Sequence, residues 1–369
     1  MDPAISVIMP CHDRAHDLQR VLESYDRQTA GDGFEVIAVD DCSRDATPHV
    51  LSRYRPRRYT LRIVRLEENV GPGRARNAAI PLARAPLTAF VGDDILPHRD
   101  FIRWHLEAHR HYPERSAAIL GHTRWPEDMP VNTLMAHIDG PGAQQFSYYY
   151  FESGRTYDYR HFYTSNVSLK TEFLRSLDHW FDPDLHLAAF EDVELGFRLA
   201  ERGMTIRYIK APLAYHYHYY TIWSFAVRQR RAGLMGCALA NKRPQLRGLF
   251  EEELGRMERY RLEANGVHFP ALADWLEAET LRLASRYEWL SHPMLDNLYL
   301  ETLRYFYEKG WIEAHFADDP QPQRVHTAHA RLSLAPLLAS FLDHAGPWPF
   351  SEGYGRWLRR QCRALSAAR

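Results

Sequence analysis

Apolar residues in the first half of the chain come in short blocks separated by amphipathic stretches. ISVIM at 5–9, FEVIAV at 34–39, LRIVRL at 61–66 and LTAFV at 87–91 read as strands, because they are rich in β-branched and aromatic residues and polar residues bound each one. Leu18, Val21, Leu22 and Tyr25 instead recur three and four residues apart, so a helix packed back on the first strand is expected there, and residues 74–83 read as another. Strand alternating with helix predicts an α/β, Rossmann-like fold: a mostly parallel sheet with helices on both faces. Ligands of open α/β sheets bind beyond the carboxyl ends of the strands, so the polar residues ending each block are where chemistry is expected.

Residues 128–165, rich in Gly, Pro, Tyr and polar side chains without a sustained period, read as long loops over a site. A short strand at 167–169, a helix at 192–202 ended by Gly203 and a strand at 206–209 follow. After Tyr220 the pattern changes. Leu246, Leu249, Phe250, Leu254 and Met257 keep helical spacing, as do Leu272, Leu276, Leu283, Tyr287 and Leu290, with no strand-like alternation between them. Two domains are expected: residues 1–221, and an all-helical C-terminal region at 222–369 in which Pro320, Pro322, Pro347 and Pro349 mark late breaks.

Length agrees, since 369 residues exceed the roughly 100–150 of one domain. The balance of 46 Lys and Arg against 47 Asp and Glu leaves no basic field to recruit nucleic acid. Cys11, Cys42, Cys237 and Cys362 form no CxxC pair, which speaks against a zinc module or disulfide scaffold and for a reducing cytoplasm. The N-terminal apolar run stops at Pro10, too early for a signal-peptide core, and no apolar run approaches the roughly 18 residues of a membrane span. A cytoplasmic protein is expected, with any membrane contact peripheral.

Five constellations carry candidate chemistry. Asp40 and Asp41, in VDDCS, are placed to accept hydrogen bonds from a nucleoside, or else Asp41 and Ser43 cap the next helix. In NVGPGRARN (69–77), Gly71 and Gly73 let backbone approach a ligand while Arg74 and Arg76 offer charge to a phosphate; alone, such a loop is equally a helix entry. Asp93 and Asp94 end a strand side by side, a costly arrangement that a hard cation such as Mg²⁺ or Mn²⁺, bridging a diphosphate, would neutralise. Glu191 and Asp192 open a helix, where carboxylates are favourable, and one of them is a candidate general base. His216 and His218 point to one side of an extended segment, and either imidazole could complete a metal shell.

Together and in this order, a first strand ending in Pro10, VDDCS, NVGPGRARN, an aspartate motif, YTSNVSLK, FEDVELGFRL and a following His resemble the family 2 glycosyltransferases over residues 5–221. The resemblance implies a GT-A fold and inverting transfer of a sugar from a nucleotide-diphosphate donor, a UDP-sugar first, to an acceptor hydroxyl in glycan, lipid-linked or protein acceptors. It implies donor contacts by Pro10, His12, Asp40, Asp41, Asn69, Gly71, Arg76, Asn77 and Asp93, a metal held by Asp94 or Asp93 with His216 or His218, and catalysis by Asp192 with Glu191 beside it. Two departures stand out: Cys11, His12 and Asp13 replace the usual Tyr-Asn pair, and Gly92 stands where many members have the first acid of the aspartate motif. Asp94, the last acid, is the favoured ligand. The alternative is a binding protein that keeps the fold without catalysis; a nucleotidyltransferase ranks below it, because PCHDRAHD lacks the expected Gly-rich basic signature.

Trp125, Trp180 and Phe190 are aromatic candidates for sugar stacking. The helical third is expected to organise the acceptor side or a homo-oligomer interface. At its end Trp357, Leu358, Gln361, Cys362 and Leu365 share one helical face beside Arg356, Arg359, Arg360, Arg363 and Arg369, a pattern that suits either docking on the protein itself or an anionic membrane surface.

Overall fold

A computed structural model describes residues 2–31, 33–264, 270–292, 294–344 and 352–367; Pro347, Pro349 and Arg369 lie outside the described residues. The chain divides into two compact units, residues 1–130 with 147–218, and residues 131–146 with 219–369.

In the first unit, β1 (Ile5–Cys11), α1 (Ala15–Asp26), β2 (Phe34–Asp40), α2 (Thr47–Arg53), β3 (Thr60–Arg65), α3 (Pro72–Ala79) and β4 (Leu87–Val91) follow one another as the apolar blocks indicate. Then come β5 (Ile95–Pro97), α4 (Phe101–His111) and β6 (Ala117–Arg124). Residues 128–165 are not simply loop: they contain α5 (Thr133–Asp139), which belongs to the second unit, and β7 (Thr156–Tyr157). Asn132 caps α5 by accepting the Met135 N–H at 2.7 Å, and Leu134, Met135 and Ile138 are buried; an apolar face confined to two turns is too short for a period to register. The unit closes with β8 (Asn166–Lys170), α6 (Thr171–Leu174), α7 (Glu191–Glu201) and β9 (Thr205–His216).

The strand order is β3-β2-β1-β4-β8-β6-β9-β5, with β7 on β9. Strands β3, β2, β1 and β4 run parallel, as do β6 and β9, whereas β8 runs antiparallel to both β4 and β6, so the sheet is mixed. Both faces of β1 and β2 are buried, as expected for interior parallel strands, and Val7 and Met9 pack with Leu18, Val21, Leu22 and Tyr25 of α1.

The second unit is helical: α5 with α8 (Ile222–Lys242), α9 (Glu251–Glu263), α10 (Pro270–Arg286), α11 (Leu295–His315), α12 (Pro322–His344) and α13 (Glu352–Ala367). Thr221 and Ser224 form a capping box that starts α8. Helices α8 and α11 cross in near contact, because a Cβ on Gly233 would lie 1.9 Å from the Tyr307 carbonyl oxygen and one on Gly310 2.0 Å from that of Arg230. Leu358 and Cys362 of α13 are fully buried, Arg359 donates to the Leu342 carbonyl, and Arg363 pairs with Asp343 at 2.8 Å. The amphipathic face of the last helix thus docks on α12 of its own unit. No helix among the described residues is long and apolar enough to cross a membrane.

Candidate functional site

The site grows from the turn between β4 and β5. Beyond Val91 the chain presents Asp93 and Asp94, then pairs Ile95 with His216 of β9. This register sets His216 Nε2 3.4 Å, and His218 Nδ1 3.2 Å, from Asp94 Oδ2. One donor atom from each of Asp94, His216 and His218 lies within 4.8 Å of the others. Trp125 stacks flat on His216, with ring centroids 5.2 Å apart, so this aromatic candidate orients an imidazole. Burial works against the Asp94 charge, but the two imidazoles and Arg14 outweigh it and hold this carboxyl well below the usual range. Asp93 behaves oppositely: burial and the Asp94 charge push it up to about 7. The two acids therefore differ, and Asp94 is the one that carries the imidazoles. One carboxylate with two imidazoles fits a divalent cation, and the imidazoles favour a transition ion such as Mn²⁺ over Mg²⁺.

Arg14 was not among the sequence candidates, yet its Nε lies 3.5 Å from Asp93 Oδ1 and a terminal nitrogen 3.3 Å from Asp94 Oδ2. Nothing local marks it, since its partners are about eighty positions away.

Several residues of the motifs assigned to the donor are engaged within the protein itself. Asp41 is buried and its carboxylate accepts the Val70 and Gly71 N–H groups at 2.8 and 2.9 Å and the Asn69 amide at 3.2 Å, so it shapes the 69–71 loop. Asp40 accepts the Ser43 N–H and faces Arg65 at 3.1 Å, which braces the turn after β2. Gly71 has φ +86°, and a Cβ there would meet the His186 carbonyl oxygen at 1.9 Å. Pro10 is buried within β1 opposite Val39, where it has a packing role. His12 is the half-exposed group at this edge: its N–H donates to Asp93, and its ring Nδ1 lies 2.8 Å from the Asp41 carbonyl oxygen and 3.0 Å from the Asn69 amide.

Arg76 and Asn77 lie elsewhere than their neighbours in the motif. Asn77 exchanges hydrogen bonds with the Phe181 backbone at 2.8 and 2.9 Å, which pins the segment leading to α7 against α3. Arg76 is buried under the Phe181 ring and reaches Glu191 Oε1 at 3.3 Å. Glu191, also buried, is pushed up to about 7 by burial and by the adjacent Asp192. Asp192 is half-buried and raised by burial, against the opposing influence of Arg76 and of N–H groups including those of Val193 and Thr164. Phe190 precedes the pair in a left-handed conformation, φ +65°, a strain on the order of 1–3 kcal/mol that aims the first turn of α7. A cavity of about 1250 Å³ lies away from all these acids, beside Ala4, Leu87 and Lys170.

Residues 6–172 match the description Glycosyl transferase family 2. Validoxylamine A glucosyltransferase of Streptomyces hygroscopicus subsp. jinggangensis (strain 5008) is 32% identical over 230 residues, 55% of this chain and 52% of that protein. The chain spans about half the length of that relative. Poly(ribitol-phosphate) beta-N-acetylglucosaminyltransferase TarS of Staphylococcus aureus (strain Mu50 / ATCC 700699) is 36% identical over 91 residues, 24% of this chain and 16% of that enzyme. Among solved structures, the mannosyltransferase PcManGT from Pyrobaculum calidifontis, in complex with GDP-Man and Mn²⁺, matches with a TM-score of 0.56 at 18% identity, covering 86% of this chain and 89% of that one, a likeness of fold. The strand-end acids and the glycine-rich loop thus lie in a segment, residues 6–172, that matches glycosyl transferase family 2, and the fold is shared with a mannosyltransferase.

Proposed function

We propose that the protein is a metal-dependent inverting glycosyltransferase that moves a sugar from a nucleotide-diphosphate donor, a UDP-sugar first, onto an acceptor hydroxyl in surface polysaccharide, lipid-linked glycan or glycoprotein synthesis. The observation that carries this reading is the convergence of Asp94, His216 and His218 at a strand end. The names of relatives point the same way: glucosyl and N-acetylglucosaminyl transfer, the latter onto a poly(ribitol-phosphate), and Mn²⁺ bound with GDP-Man in a protein of like fold.

Asp94, His216 and His218 would hold Mn²⁺ or Mg²⁺, which when bound offsets the charge that builds on a departing diphosphate. The residues of the chain do the rest. The 69–71 loop, shaped by Asp41, and His12 line the nucleotide side. Asp192, half-buried and pre-oriented by the first turn of α7, takes the proton of the acceptor hydroxyl. The acceptor oxygen bonds to the anomeric carbon from one face while the carbon–phosphate oxygen bond breaks on the other, its electron pair leaving with the nucleoside diphosphate; configuration inverts. A panel of nucleotide sugars, screened with Mn²⁺ for hydrolysis and thermal stabilisation, tests the reading. The absence of both hydrolysis and stabilisation across the whole panel would overturn it.

A further inference from the structure

Taking Asp192 as the base, we propose that Arg76 and Glu191 form a buried charge couple that sets the basicity of Asp192, so that both are positioning residues rather than a donor ligand and a second base. The couple joins two elements far apart in sequence. Arg76 comes from α3 and Glu191 is the first residue of α7; they are 5% and 4% exposed and meet at 3.3 Å. It is also held in place. The Phe181 ring lies 5.5 Å from the guanidinium, Asn77 fixes the Phe181 backbone with two hydrogen bonds, and Gly73 leaves no slack, since a Cβ there would be 3.1 Å from Phe181 Cβ and 3.4 Å from Glu191 Cγ.

A buried ion pair is a poor device for stability alone, because apolar residues of similar volume fill such a space as well or better. Its position suggests another use. Glu191 is covalently adjacent to Asp192, and in a dry site its negative charge raises the proton affinity of the neighbouring carboxyl. Arg76 opposes that effect on both acids. The other groups facing Asp192 are the N–H groups of Val193 and Thr164 and, from the segment before β8, the Tyr163 hydroxyl; Asp93 of the β4–β5 turn acts on Arg76. Without Arg76 the two acids repel and both hold their protons more tightly. Without Glu191 the guanidinium is left to Asp192 alone and weakens it as a base.

The two members of the couple therefore have opposite effects, which separates this role from a structural one. The experiment is the pH profile of kcat/KM, for the donor the wild type turns over, in Arg76→Met, Arg76→Lys, Glu191→Gln and Asp192→Asn. The acid limb should move up in Arg76→Met and down in Glu191→Gln, by about one pH unit each, which is roughly a tenfold change in relative rate on that limb. Arg76→Lys should keep the limb near its wild-type position. Limbs that stay in place, or move in the same direction, overturn the proposal. Should Arg76→Met not fold, Glu191→Gln and Arg76→Lys still decide: the proposal fails unless the first moves the limb down and the second does not. Full turnover in Asp192→Asn would instead sink the base assignment on which the couple rests, whereas an inactive Asp192→Asn with unmoved limbs elsewhere rejects the couple alone.

Discussion

Ile95 stands directly opposite His216 in the antiparallel pairing of β5 with β9, and that single register brings His216 Nε2 to 3.4 Å from the carboxylate of Asp94. A slip of one residue would turn His216 to the other face of the sheet and dissolve the three-residue cluster, because side chains alternate along a strand. The proposed metal site is thus a property of strand pairing as much as of the residues that compose it.

The first expectation concerns the cation. Turnover should stop in excess chelator and return with Mn²⁺, and His216→Ala or His218→Ala should each weaken Mn²⁺ binding by more than about tenfold. Titration followed by the paramagnetic signal of free Mn²⁺ measures this without any substrate. An affinity unchanged in either variant removes that histidine from the shell.

Asp192→Asn should lower turnover by about 10²- to 10⁴-fold, the usual contribution of a positioned base, while donor binding stays near wild type. Calorimetry with the donor separates the two quantities. Lost binding would move Asp192 to the donor side.

Burial raises both carboxyls at the start of α7, Glu191 to about 7. A raised carboxyl takes up a proton at higher pH, so kcat/KM should fall on the acid side above the ordinary aspartate value of about 3.9. The stability effect has a definite sign too. The folded chain binds these protons more tightly than the unfolded one, so the contribution is fully present below the ordinary carboxylate values and is lost as pH rises toward about 7. Metal-free melting curves between pH 5 and 8 should show that loss reduced in Glu191→Gln; identical slopes in the two proteins would contradict it.

Gly71→Ala should damage the 69–71 loop selectively. An L-residue is strained at φ +86°, and the added methyl would collide with the His186 backbone rather than with a flexible side chain. A loss of stability of about 1–3 kcal/mol with weakened donor binding is expected, read by denaturant unfolding and calorimetry. Wild-type values for both would show that the loop adjusts freely.

Leu358→Ala should destabilise the protein by about 2–5 kcal/mol, since this side chain is fully buried against its own helical unit. Leu358 and Cys362 are then committed to the protein interior, whereas Trp357 on the same face is exposed. Truncation after Gly355 should leave sedimentation with anionic vesicles unchanged, and the same variant reports through its mass whether the helix holds a homo-oligomer together. Vesicle binding lost on truncation would support the membrane role instead.

Much of this architecture was legible along the chain, because it rests on local rules. The blocks at 5–9, 34–39, 61–66 and 87–91 alternate and terminate in ways that need only neighbouring residues, and each lies within or overlaps an observed strand. The acids Asp93, Asp94, Glu191 and Asp192 were legible for the same reason: strand ends and helix starts can be located from periodicity, and charge at those points has a short list of uses. What no local rule supplies is which distant groups meet. His218 lies 124 positions from Asp94, and Glu191 lies 115 from Arg76. Arg76 and Asn77 follow Gly71 within one short motif, yet they turn to α7 and the Phe181 segment while Gly71 turns to Asp41. The reversed direction of β8, the departure of residues 131–146 to the helical unit and the entry of Arg14 beside the acid pair belong to the same class. Sequence by itself determined the elements and the chemistry at their ends. Strand register and the packing of side chains across the sheet, which depend on contacts summed over the whole unit, decided which of those ends became one site.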